Sequence, residues 1–310
     1  MIHEGACLVS ESGKHLIVQK ILGEGGHLRV YEVLVTETGE RKALKLYKHW
    51  QGKFDGAVWE NLSLLAGIGS PDKSILWVDD IVSSSDCGFG YVTTLIPEGY
   101  IPCYRLIREE ELHLSSKCNF AIDLLRAFHN TRMQGLLLFT ADGTENYYVH
   151  PRTGHLLIEE CERTAPVGAM PYPTIFTPKY AAPEVILGKR VLDVQTNLFS
   201  LAVILFMLFF NGHPLEGQRA LQIPIMTNEM LQKVYGDHPR FVFDPEDESN
   251  RPVPAIQGKM IACWNDAPDY LKNIFIKAFS QEALRNPKAR PSEKELSQVI
   301  YRYKAELTMQ

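Results

Sequence analysis

Three glycines fall within four consecutive positions in Ile21-Leu22-Gly23-Glu24-Gly25-Gly26-His27-Leu28, between two segments rich in β-branched residues. Without a Cβ in the way, backbone amides at Gly23, Gly25 and Gly26 can approach phosphate oxygens. Lys45 follows in the next apolar segment, Ala43-Leu44-Lys45-Leu46-Tyr47, where an ammonium could meet the α- and β-phosphates of a nucleotide. Each signal has a plain alternative. The glycines also suit a flexible hairpin, and a lone lysine on a strand commonly faces solvent.

The elements that must position these residues fall into two sections. Segments around Cys7–Ser10, Leu16–Leu22, Leu28–Val35, Ala43–Tyr47, Ile75–Val82 and Gly90–Leu95 read as strands separated by Gly, Ser and Asp turns. Val58, Leu62 and Leu65 recur at helical spacing and predict one helix over about Phe54–Leu65. After Pro97 the pattern turns helical: Ile122, Leu125 and Phe128 form an apolar stripe within about Glu110–Met133. A short strand pair, Asn146–Val149 and His155–Ile158, flanks the turn at Pro151–Gly154. The run Phe199–Phe210, interrupted by Ser200, is too short for a membrane span and reads as a buried helix ending at Asn211-Gly212. The expected fold class is α+β in two lobes, a β-rich one over 1–96 and a helical one over 97–310, with a cleft between them.

Composition sets bounds on function. The 310 residues are 45% hydrophobic and 22% charged, which excludes disorder. The net charge of −5, from 32 basic and 37 acidic residues, gives no electrostatic reason to expect nucleic acid or a membrane as partner. Six scattered cysteines without a C-x-x-C pair point to neither zinc nor a disulfide framework, and with no signal-peptide pattern a cytoplasmic location is expected. The acidic stretch Asp244–Ser249 lacks calcium-loop spacing and reads as a solvated turn or an interaction surface.

One motif is more specific. Thr177-Pro178-Lys179-Tyr180-Ala181-Ala182-Pro183-Glu184 matches the T-P-x-Y-x-A-P-E ending of a protein kinase activation segment, and Asn286-Pro287-Lys288-Ala289-Arg290-Pro291-Ser292 is similar to the late arginine motif of the same fold. On these residues the chain resembles a eukaryotic-like serine/threonine protein kinase over nearly its whole length. The stretches Asn197–Val203, Asn211–Gly217 and Phe241–Pro254 resemble a bacterial branch often encoded beside PP2C-type phosphatases and von Willebrand A-type proteins. The resemblance implies a structural Glu184–Arg290 ion pair, Glu60 as the partner of Lys45, and an adenine-binding linker at Thr93, Thr94 and Leu95 with Thr93 at the back. Almost the entire chain is then accounted for by one kinase-like domain, so regulation is expected to come from partners.

The same resemblance exposes departures. Where the family carries H-R-D-x-x-x-x-N, this chain has Phe139-Thr140-Ala141-Asp142-Gly143-Thr144-Glu145-Asn146. Asn146 matches the metal-binding asparagine, but Ala141 stands at the base position and Asp142 is displaced by one residue, a shift large enough to cost about a hundredfold in rate. Glu160, in Glu159-Glu160-Cys161-Glu162, aligns with the metal-binding aspartate of D-F-G, and its longer side chain suits Mg²⁺ poorly. Leu28 replaces the third loop glycine, and Asn197 stands where an aspartate usually braces the catalytic loop. Four departures in one direction predict a pseudokinase, a regulatory or binding module with impaired phosphoryl transfer. The alternatives are an active divergent kinase using Asp142, Asn146 and Glu160 with Mg-ATP, and a nucleotide-free scaffold. Expected ligands are therefore ATP and Mg²⁺ or none, and the expected partner is a protein of the phosphatase or von Willebrand A type.

Overall fold

Apolar residues at alternate positions build the first sheet of the chain. The computed structural model describes residues 2–48, 56–84, 88–103, 112–138, 146–159, 161–169 and 177–309. Six antiparallel strands, β1 (Cys7–Val9), β2 (His15–Glu24), β3 (Leu28–Val35), β4 (Arg41–Tyr47), β5 (Asp80–Ser84) and β6 (Gly88–Thr94), lie in the order β1-β2-β3-β4-β6-β5. Leu16 and Val18 of β2, Tyr31, Val33 and Val35 of β3, and Leu44 and Leu46 of β4 pack with Val82 and Val92 into one core. Because side chains alternate between faces, Lys45 must point away from that core, on the face shared by its register partners Val30 and Tyr91.

Two units emerge, Met1–Tyr100 with Leu157–Thr164, and Ile101–Leu156 with Ala165–Gln310. The first boundary therefore falls at Tyr100 rather than residue 96, and 157–164 belongs with the strand-rich unit. Backbone bonds explain this: Leu76 N–H donates to the Ile158 carbonyl at 2.9 Å, and Ile158 N–H donates to Ser74 at 2.7 Å. The expected strand over Ile75–Val82 is also corrected. Ile75, Leu76, Trp77 and Val78 are all buried and make only an isolated bridge, Ile75 to Ile158, while the regular strand begins at Asp80. Four consecutive buried residues do not alternate, which is the local sign of an irregular core segment. Trp77 Nε1–H holds the Leu65 carbonyl, 2.9 Å away, at the end of the buried stripe of α1 (Gly56–Ile68).

The second unit is mainly helical. Its long helices are α2 (Leu114–Met133), α3 (Val194–Phe210), α4 (Pro254–Asp266), α5 (Asp269–Ala278) and α6 (Glu293–Leu307). Asp193 starts α3 with a capping box, accepting from the amides of Gln195 and Thr196, and Asn211 ends it in the left-handed region at φ 55°. Phe206 of α3 is fully buried and meets Phe241 and Phe275 edge to face, with ring centroids 5.5 Å apart in each pair. A two-residue pairing, Ile101 with Val149 and Pro102 with Tyr148, precedes α2 in this unit. Among the described residues, no helix is long and apolar enough to cross a membrane.

Gly90 fixes the distance between β6 and β4. A Cβ built there would lie 2.0 Å from the Lys45 carbonyl oxygen, against backbone that cannot swing aside. Gly90→Ala is expected to lower stability by about 1–3 kcal/mol or more, as overpacking does, and urea denaturation would read the loss.

Candidate functional site

Lys45 is 4% exposed, and a buried ammonium requires compensation. Glu159 supplies it at 2.8 Å from Nζ. The ring of Tyr91, opposite Lys45 on β6, lies 5.6 Å from the ammonium, and its hydroxyl donates to Glu162 at 2.7 Å. Burial alone would lower the Lys45 pKa, but the charges of Glu162 and Glu159 outweigh it and hold the pKa above the ordinary lysine value. Burial, with Glu162 adding to it, pushes the Tyr91 phenol far above its usual range, so it stays a donor. Between the two glutamates, burial raises Cys161 well above a normal thiol, and its S–H donates to the Leu76 carbonyl at 2.9 Å. This cysteine is an inert core group.

The predicted partner of Lys45 is corrected by this geometry. Glu60 is exposed, because α1 buries Val58, Leu62 and Leu65, and residue 60 lies roughly 200° around the helix from both Val58 and Leu62. The residue on α1 that reaches inward is its neighbour, Asn61, which donates to the carbonyls of Glu162 at 2.7 Å and Thr164 at 3.1 Å. Sequence reasoning missed both Glu159 and Asn61. A usable signal was present: a lysine inside an apolar strand needs a carboxylate, and Glu159 and Glu162 stand together in one short acidic run.

The glycine loop is a tight hairpin between β2 and β3. Gly25 N–H donates to the Leu28 carbonyl at 2.9 Å, while Glu24 pairs with Lys48 at 2.5 Å and Arg29 at 3.2 Å. None of Gly23, Gly25 and Gly26 has a positive φ, and an added Cβ would meet nothing nearer than 3.8 Å. The chain's own backbone thus gives no steric reason for glycine there. Thr93 is 1% exposed and its hydroxyl has no hydrogen-bond partner among the described residues. Thr94 is exposed, its hydroxyl 3.4 Å from Lys42 Nζ, and Leu95 is partly buried.

In the second unit, Arg290 is buried and forks onto Glu184, with Nη1 2.8 Å and Nη2 2.7 Å from the two carboxylate oxygens. Its remaining donors reach the carbonyls of Ala283 and Gln195, which completes the desolvated guanidinium's hydrogen bonds. Asn197 of α3 donates to the Leu138 carbonyl at 2.8 Å. The amide ties α3 to Leu138, the last described residue before 139–145. Asn146 is partly buried and opens the strand Tyr147–Val149. Thr140, Ala141, Asp142 and Glu160 lie outside the described residues, so the predicted base and one predicted metal ligand have no geometry to weigh.

His213 fastens the Thr177–Glu184 stretch from below. Leu215 N–H donates to its Nδ1 at 3.1 Å, so Nε2 carries the proton and donates to the Lys179 carbonyl at 2.7 Å. Burial lowers its pKa below the usual 6.5, and Glu216, 3.8 Å away, does not reverse this. No family model matches the chain and no curated protein is similar to it, so the kinase resemblance rests on its motifs.

Two tests follow from these contacts. Replacing Glu159 and Glu162 together by Gln should cost about 3–5 kcal/mol, because it strands a buried ammonium. Lys45→Met should cost much less, since Glu159 keeps access to water; chemical denaturation of both variants measures the asymmetry. For His213, the folded state resists the proton that the unfolded chain accepts near pH 6.5. Its contribution is therefore present above that pH and lost as pH falls below it. Melting temperatures from pH 7.5 to 5.5, values bracketing that pKa by roughly one unit each way, should fall more steeply for the native chain than for His213→Gln.

Proposed function

We propose that this chain is a kinase-like regulatory or binding module that does not carry out efficient phosphoryl transfer. The observation that carries the reading is the occupancy of Lys45 by the chain's own acids. To hold phosphates, Lys45 would have to exchange Glu159 at 2.8 Å for a ligand of the same charge, beside Glu162 and in a buried setting. The Ala141 and Leu28 substitutions point the same way. The protein's work is then done by surfaces that bind other proteins, with a PP2C-type phosphatase or von Willebrand A-type protein as the partner class.

A retained nucleotide site is the second reading, and two observations favour it. Thr93 leaves a buried hydroxyl unsatisfied, and space stands open over Gly23 and Gly26. In that case the glycine loop, Thr93 and Lys45 would hold ATP, and a divalent cation would offset the neighbouring carboxylates. Differential scanning fluorimetry with ATP, alone and with Mg²⁺ or Mn²⁺, separates the two. The expected outcome is no rise in melting temperature and no incorporation of labelled phosphate; a metal-dependent rise that disappears in Lys45→Ala would establish the second reading.

A further inference from the structure

Away from Lys45, the five long helices of the second unit leave a cavity of about 420 Å³ between them. That volume falls among small-molecule pockets, roughly 300–1,000 Å³. Phe209 and Phe210 at the end of α3 and Leu271 of α5 give it apolar walls, all of them buried. Its mouth lies at the start of α2, where Leu114 is 42% exposed.

One polar group inside this cavity has no counterpart in the fold. Tyr303 of α6 is 9% exposed, with its ring 6.0 Å from that of Phe209, and its hydroxyl makes no protein hydrogen bond among the described residues. Burial holds the phenol above its ordinary pKa, and Cys118, Cys263, Asp266 and Glu306 add to the effect, so the group stays protonated. Cys263 and Asp266 also line the cavity, which places the phenol oxygen on its wall. A buried hydroxyl of this kind calls for an acceptor. The protein supplies none.

The lining carries both signs of charge. Lys117 is 4% exposed and His113 stands near it, while Asp266 is the one carboxylate among the lining residues. A cation would face Lys117 and an anion would face Asp266, so no net field rewards stripping water from a charged ligand. The walls favour flat rings, because aromatic side chains pack well edge to face or offset against another ring. We infer that this cavity binds an uncharged, planar aromatic molecule carrying one oxygen acceptor, its rings against Phe209 and Phe210 and its acceptor on the Tyr303 hydroxyl. The inference stands whether or not Lys45 ever meets a nucleotide.

The test is equilibrium dialysis of the full chain against acetylnaphthalene, which has a carbonyl acceptor, beside ethylnaphthalene, which has none, and the charged naphthoate and naphthylmethylammonium ions. Acetylnaphthalene should bind most tightly of the four. Tyr303→Phe should weaken it about three- to tenfold and leave ethylnaphthalene unchanged, since only the hydrogen bond is lost. Leu114→Trp, at the exposed mouth, should weaken both. Each variant should melt with the native chain, because the hydroxyl has no protein partner to lose and Leu114 is exposed. The inference is overturned if acetylnaphthalene shows no saturable binding, if ethylnaphthalene or either ion binds as tightly, or if Tyr303→Phe or Leu114→Trp binds it like the native chain.

Discussion

A buried positive charge governs the first unit. The sheet requires Leu44 and Leu46 on its core face, and the strand's alternation then forces Lys45 to the other face, beneath Tyr91. Once there, the ammonium needs counter-charge, and the chain supplies it from the 157–164 segment rather than from α1. That need binds together parts far apart in sequence: Glu159 on Lys45, Glu162 on Tyr91, Cys161 on Leu76, and Asn61 on the turn that follows. The ion pair is therefore the joint by which a distant segment is recruited into this unit.

The second unit solves a similar problem with a different group. Arg290 is as buried as Lys45, but its planar guanidinium can satisfy a carboxylate and two carbonyls at once. Lysine presents a point charge and relies on several acids around it. The two sites show why the same charge gives a rigid clamp in one place and a crowded, mutually dependent cluster in the other.

Much of the fold was legible in the sequence. The strands around Lys45 and the long helix ending at Asn211 follow from periodicity and stop signals that report local structure, and Thr177–Glu184 with Arg290 pointed to an ion pair across more than a hundred positions. What stayed hidden was long-range choice. Nothing in α1 alone says that Glu60 faces water while Asn61 faces the 161–164 turn, since one residue of helical phase separates them. The irregular Ile75–Val78 segment looked like a strand because it is uniformly apolar, and only its bonds to Ser74, Ile158 and the Leu65 end of α1 reveal why it is not.

Asn197 bears on the direction in which such a chain can change. Its amide donates to a carbonyl, whereas an aspartate in the same place would set a carboxylate oxygen against the Leu138 oxygen, both of them acceptors. An Asn197→Asp change would thus meet a buried repulsion at this contact. The contact makes the position selective for a donor: α3 and Leu138 are matched through one N–H, and an acceptor of the same size does not take its place.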